Sequence, residues 1–194
     1  SQLFDRICDT PEYYPTRAES ALLQAHAAAL MDLVRPQHVI ELGSGSSRKT
    51  RHLLRAAARL GLSLEYWPFD VCIEMLDRTG RELVEEFGDL RVHALVGDYH
   101  GGLAHLPRPS GRRLFVFLGG TIGNFDAAGA HAFLCDLRAQ MQTGDYLLLG
   151  ADRVKDVAVL EAAYDDAEGV TAAFNLNVLN VVNRELNADF DPTM

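Results

Sequence analysis

Acidic and amide side chains stand where apolar runs end: Glu41, Asp70, Asp98, Asn124 and Asp152, with Lys49 just beyond a glycine pair at Gly43 and Gly45. Carboxylates so placed accept hydrogen bonds from the hydroxyls and amino group of a nucleoside, an ammonium pairs with an anionic end group, and an amide both donates and accepts. Such a set suits a nucleoside-bearing ligand. The glycines are its centre. Residues 39–42 read as a buried strand, and Leu53, Leu54, Ala57 and Leu60 fall at helical spacing behind it, so Gly43 and Gly45 occupy the tight connection where backbone approaches a ligand closely. A dinucleotide fingerprint or a phosphate loop needs glycine at the position held here by Arg48, which disfavours both.

Glutamate closing a strand before Gly-x-Gly instead fits S-adenosylmethionine, which has no pyrophosphate to cradle; an ordinary glycine turn without a ligand is the alternative. Asp70, about 25 residues past the corner, either accepts from ribose hydroxyls or caps a helix. Asp98 either accepts from the adenine amino group, with Tyr99 as a stacking neighbour, or belongs to a Gly-Asp turn. Lys49 either reaches the carboxylate of the cofactor's methionine or is solvated surface. Asn124, in the segment Thr121-Ile122-Gly123-Asn124-Phe125, suits a substrate with an amino group beside a carboxylate, or starts the next helix. Tyr13, Tyr14 and Tyr164 read from pattern alone as packing residues.

These groups need a frame. Thr16 and Glu19 form a capping box that predicts a helix from Arg17, with Leu22, Ala29, Leu30 and Leu33 as its apolar face and Arg35-Pro36 as its end. Residues 64–69 predict a second strand; Ile73, Leu76, Leu83, Val84 and Phe87 a helix closed by Gly88; residues 90–96 a third strand; residues 114–118 and 146–149 a fourth and a fifth, with a helix over 127–141 between them. Strand then helix, five times over, predicts an α/β, doubly wound, Rossmann-like fold with a largely parallel sheet and ligands at the carboxyl ends of the strands. Val157, Leu160, Ala163 and Tyr164, then Phe174, Val178, Leu179 and Val182, read as helical, so the sheet is expected to lack its last strands: either the polypeptide is a fragment, or a partner or a second copy covers the open edge. The expected division is an N-terminal helical segment 1–36, a cofactor-binding core 37–152 and a helical extension 153–194.

A chain of 194 residues, 48% hydrophobic, can bury one sizeable core, and a net charge of −9 without a Lys/Arg cluster argues against nucleic acid. Three scattered cysteines fit a reducing compartment, the seven histidines lack ligand spacing, and no apolar run is long enough to span a bilayer. The expectation is a cytoplasmic protein with no membrane, metal or nucleic-acid partner.

Over essentially its whole length the chain resembles the histidine-specific Nα-methyltransferases of ergothioneine biosynthesis, members of the class I superfamily. The resemblance is carried by Pro11-Glu12-Tyr13-Tyr14-Pro15-Thr16-Arg17, Glu41-Leu42-Gly43-Ser44-Gly45, Pro68-Phe69-Asp70-Val71, Leu118-Gly119-Gly120-Thr121-Ile122-Gly123-Asn124, Ala163-Tyr164-Asp165-Asp166, Asn183-Arg184-Glu185-Leu186 and Ala188-Asp189-Phe190-Asp191. It implies that Gly43, Lys49, Asp70, Asp98 and Tyr99 hold S-adenosylmethionine and release S-adenosylhomocysteine, and that Tyr13, Asn124 and Tyr164 hold the amino acid, with Tyr13 and Asn124 nearest the chemistry. It also implies the trimethylated betaine of histidine as product. The family's ring-recognising acid and hydroxyl fall in a later, substrate-lid segment that the chain does not contain, its N-terminal closing segment falls before Ser1, and Cys72 and Gly120 stand where relatives carry other residues.

The expected reaction is in-line methyl transfer to a neutral α-amine, with orientation supplying several of the ~7–11 kcal/mol that near-attack geometry can give and Tyr13 orienting the amine. The alternatives are a related enzyme acting on another amine, such as a tryptophan-derived one, and a cofactor-binding module inactive by itself.

Overall fold

A computed structural model describes residues 2–99 and 101–191. The chain divides into two units, one made of residues 19–152 and the other joining residues 1–18 to residues 153–194.

The larger unit is built on a parallel sheet of β1 (His38–Leu42), β2 (Glu65–Asp70), β3 (Arg91–Val92), β4 (Leu95–Val96), β5 (Arg113–Phe117) and β6 (Tyr146–Leu149). Its order is β3-β2-β1-β5-β6, with β4 also on β2. Every pairing is parallel, as runs apolar on both faces demand. Alternation along the strands feeds two cores. Val39, Leu114 and Val116 join Leu23, Ala27, Met31, Val34, Leu53, Leu54 and Leu83 on one face, whereas Ile40, Leu42, Phe115 and Phe117 join Phe69, Leu103, Leu106, Phe133 and Leu137 on the other. Covering helices are α2 (Tyr14–Val34), α3 (Arg51–Arg59), α4 (Ile73–Phe87) and α5 (Ala127–Gln140).

The third expected strand is two. Pro68 of β2 turns the face that lacks an N–H toward Ala94, because Tyr66 and Asp70, its neighbours two residues either side, accept from His93 and Gly97 on that side. A proline there removes a ladder bond, so the pairing breaks between Val92 and Leu95. The crossover from β4 to β5 also differs from the expected strand-then-helix unit: it holds a single 3-10 turn, Gly102–His105.

Two expectations about α2 are corrected. It starts at Tyr14, with Pro15 in its first turn where a missing N–H is harmless, so Thr16 lies inside the helix and no capping box forms. Its buried face is Leu23, Ala27, Met31 and Val34; Leu22 and Leu33 are 61% and 74% exposed. Arg113, fully buried, is held by Asp145, which accepts from its backbone N–H, Nε and Nη2 at 3.0, 3.0 and 2.5 Å, and by the Gln140 carbonyl.

The smaller unit contains α1 (Gln2–Asp9), α6 (Val157–Tyr164), α7 (Val170–Leu186) and the first turn of α2. Ile7, Cys8, Tyr13, Ala163 and Val170 form its core, and Phe4 meets Phe174 at a centroid separation of 6.2 Å. Arg17 donates to the carbonyls of Thr10 and Pro11, fixing the turn before α2. Asp166 accepts from the Val170 and Thr171 amides, which stands in for a cap at the start of α7. Among the described residues no helix is long and apolar enough to cross a membrane.

Candidate functional site

The glycine corner follows β1 directly. Gly43 adopts φ +69 and donates to the Phe69 carbonyl at 2.8 Å, which ties the corner to the end of β2. A side chain at Gly43 would run into the Tyr99 hydroxyl, whereas Cβ atoms at Gly45, Gly120 and Gly123 would enter open space. The backbone at the carboxyl ends of β1 and β5 is therefore bare at these positions, as a close-approaching ligand requires.

Asp70 closes β2 and does two jobs already. One carboxylate oxygen accepts from Gly45 N–H at 2.8 Å, the other from Cys72 N–H at 3.0 Å. Cys72 is the N-cap position of α4, so Asp70 supports the helix start from two residues before the cap and also pins the glycine loop. Each oxygen keeps a lone pair for a further donor, and Asp70 is half-buried. Asp98 follows β4 and is exposed, its carboxylate accepting from Gly101 N–H at 3.2 Å.

Tyr99 is more than a neighbour of that acid. Its ring lies edge-on to Phe117 and Phe133, both at 5.6 Å, in an aromatic group with Phe69 and Phe125. Burial, and then the charges of Asp70 and Glu41, push its phenol up to about 12, so at neutral pH it stays protonated.

Glu41 is buried. It accepts from Thr50 Oγ1 at 2.5 Å and from the Tyr66 hydroxyl, which also meets Ser47 Oγ at 2.6 Å. Burial pushes Glu41 up to about 7 against the lowering effect of those two donors. Through Ser47, held at φ +50, and Thr50, this group braces the loop between the glycines and α3.

Lys49, in the same loop, is paired with Glu19 of α2, and Glu19 also accepts from Gly119 N–H at 2.9 and 3.1 Å. Neither Glu19 nor the Tyr66–Glu41 brace stood out in sequence, since a glutamate three residues after a threonine mimics a cap and a strand tyrosine mimics core. A usable signal for Glu19 was the glycines that follow β5 and β6.

Asn124 ends a 3-10 turn after β5; the helix that follows is capped by Asp126, which accepts from Gly129 N–H at 2.7 Å. Asn124 is therefore not that cap. Its side chain is exposed. Tyr13 and Tyr164 belong to the smaller unit and meet edge to face at 5.9 Å, Tyr13 buried and Tyr164 60% exposed. Tyr14 packs under the Lys155 ammonium at 4.6 Å. Gly43, Lys49, Asp70, Asp98 and Tyr99 thus share the carboxyl edge of one sheet, with Asn124 on the same edge. The donor set matches S-adenosylmethionine in chemistry: acceptors for hydroxyls and an amino group, an aromatic ring, a cation for a carboxylate, and a bare glycine corner. Among the described residues no group of three or more His, Cys, Asp or Glu could hold a metal ion.

Residues 1–194 match the family described as histidine-specific methyltransferase, SAM-dependent. The histidine N-alpha-methyltransferase of Mycobacterium tuberculosis is 50% identical over 191 residues, 98% of this chain and 59% of that protein. Ergothioneine biosynthesis protein 1 of Neurospora crassa is 34% identical over 186 residues, 94% of this chain and 21% of that protein. A solved structure of a putative methyltransferase from Thermobifida fusca superposes with a TM-score of 0.56 at 14% identity, covering 84% of this chain and 63% of that one, and shares the fold. The chain spans about three fifths of the length of the Mycobacterium relative.

Proposed function

The chain belongs to the histidine-specific, SAM-dependent methyltransferase family, and from that premise we propose that it carries the cofactor site and the amine-presenting residues of an enzyme that converts histidine to its trimethylated betaine in ergothioneine synthesis. The observation that supports this reading best is the gathering of Gly43, Lys49, Asp70, Asp98 and Tyr99 at one sheet edge, from the ends of β1, β2 and β4.

When bound, S-adenosylmethionine supplies an electrophilic methyl group on a sulfonium. Asp70 holds the ribose hydroxyls while its bonds to Gly45 and Cys72 keep it from swinging away. Asp98 takes the adenine amino group, Tyr99 lies beside the base, and Lys49 answers the methionyl carboxylate. Asn124 holds the amino and carboxylate groups of the amino acid, and by family resemblance Tyr13 and Tyr164 are amino-acid-binding residues. An α-amine has an ordinary pKa of about 8, so the ammonium must shed its proton before attack, and the Tyr13 phenol or a water relays it to bulk solvent. The reading further places the protein in the cytoplasm, free of nucleic acid and membrane. The core at 37–152 acts as the cofactor platform, with residues 1–36 and 153–194 serving the substrate.

Calorimetry tests this. S-adenosylhomocysteine is expected to bind saturably and then to allow histidine, in preference to other amino acids, to bind. Mass spectrometry of histidine incubated with chain and cofactor reads the methylated products. Binding of NAD in place of S-adenosylhomocysteine overturns the reading.

A further inference from the structure

The crossovers leave β1 toward β2 on one side and reach β5 on the other, so the gap between β1 and β5 is where the winding reverses. Ligands of open α/β sheets settle outside the carboxyl ends at that point. Lys49 comes from the loop after β1 and Gly119 from the loop after β5. Glu19 joins them. Its carboxylate accepts from the Lys49 ammonium and from Gly119 N–H, and a side chain at Gly150, just past β6, would collide with it. The two charged side chains are only 16% and 20% exposed. An ion pair so withdrawn from water returns little net stability, because desolvating both ions offsets most of their attraction. Drawn between the loops that follow β1 and β5, where the winding reverses, it is better explained as a receptor than as a brace.

We infer that Glu19 and Lys49 together form the seat for the α-amino-acid head of the cofactor, Glu19 receiving its ammonium and Lys49 its carboxylate. The inference rests on the cofactor reading given above and adds Glu19 to it. A zwitterionic head carries the complement of this pair on adjacent carbons. If Lys49 alone turned to the ligand's carboxylate, Glu19 would be left withdrawn from water with a single amide donor, and the ligand's ammonium would lack an anion. Exchange of one ion pair for two leaves each of the four charges partnered and their sum zero.

The test crosses one substitution with three ligands by calorimetry on the full chain: S-adenosylhomocysteine, its analogue lacking the α-amino group, and 5′-methylthioadenosine, which has no amino-acid head. Glu19→Gln keeps an acceptor for Gly119 N–H and loses the charge. The unaltered chain is expected to bind S-adenosylhomocysteine at least tenfold more tightly than the deaminated analogue, E19Q to lose that difference, and methylthioadenosine to bind both proteins equally. Equal weakening of all three ligands by E19Q would make Glu19 a structural brace and overturn the inference. So would unchanged or tighter binding of S-adenosylhomocysteine by E19Q, which would mean that Glu19 only competes for Lys49. Should E19Q fail to fold, the unaltered chain still decides, since equal affinity for S-adenosylhomocysteine and its deaminated analogue sinks the assignment. Failure of the cofactor reading looks different: the unaltered chain would bind none of the three.

Discussion

Glu41→Gln isolates the buried carboxyl that braces the glycine loop. In the folded chain burial holds Glu41 up at about 7, against an ordinary value of 4.5. A carboxyl raised on folding keeps its proton in the native state where the unfolded chain has released it, so its contribution to stability is full below about 4.5 and disappears as pH rises through about 7. Each unit is worth about 1.4 kcal/mol, so roughly 2 kcal/mol of the wild-type stability is lost between pH 5.5 and 8.5 through this group. Glutamine cannot titrate. It still accepts from Thr50 and can donate to the Tyr66 oxygen, whose own proton turns to Ser47, so the brace survives the change. Urea unfolding followed by circular dichroism at steps across that range should show E41Q gaining on wild type by roughly 2 kcal/mol from the acid end to the alkaline end. His52, lowered by burial and then by Arg55, tilts both curves the opposite way and drops out of the difference. Parallel curves for the two proteins would refute the argument, since Glu41 would then titrate alike folded and unfolded.

Other outcomes follow from the same geometry. Gly43→Ala should cost about 1–3 kcal/mol from φ +69 alone, with a further loss from the Tyr99 hydroxyl; adding Tyr99→Phe should restore part of it in urea melts, because the ring carbon left behind stands 3.5 Å from the new Cβ. Asp70→Asn removes the charge that would meet the ribose hydroxyls, and calorimetry should show S-adenosylhomocysteine binding weakened roughly 10- to 100-fold, the equivalent of one charged hydrogen bond. Asn124→Ala should weaken histidine binding to the S-adenosylhomocysteine-loaded chain while leaving S-adenosylhomocysteine affinity nearly intact; equal loss of both would remove Asn124 from the amino-acid site. Asp145→Ala strands a fully buried guanidinium and should cost about 3–5 kcal/mol, whereas Arg113→Met with Asp145→Leu should recover most of it in the same unfolding assay.

The central strands β1 and β5 were legible because they are buried on both faces and so read as largely apolar runs, and the glycine corner because only a strand-to-loop-to-helix passage explains its spacing. The face of α2 was not. Its first half sets Leu22 beside Leu23 and its second sets Leu30 and Leu33 beside Met31 and Val34, so two apolar stripes compete and packing in the core that holds Val39 and Leu114 chooses Leu23, Ala27, Met31 and Val34. The split between β3 and β4 was readable in principle, since Pro68 stands in a strand with neighbours on both sides, but which neighbour loses its bond depends on register. Asp70 shows that two readings of one residue need not compete: it supports the start of α4 and retains acceptors for a ligand. Tyr13 and Tyr164 came to notice through family resemblance alone, because a buried tyrosine edge-on to another looks like packing whether or not it meets a substrate.

The smaller unit is assembled from both ends of the sequence, with residues 1–18 and 153–194 separated by the whole of the sheet. On the ribosome the first segment emerges about 135 residues, 153 − 18, ahead of its complement. At synthesis rates of about 5–20 residues per second that is a wait of roughly 7–27 s, during which Phe4, Ile7 and Tyr13 have none of the α6 and α7 surfaces they finally meet. The sheet can close in that interval, so vectorial synthesis orders the assembly, with α1 a natural client for chaperones until α6 and α7 are made.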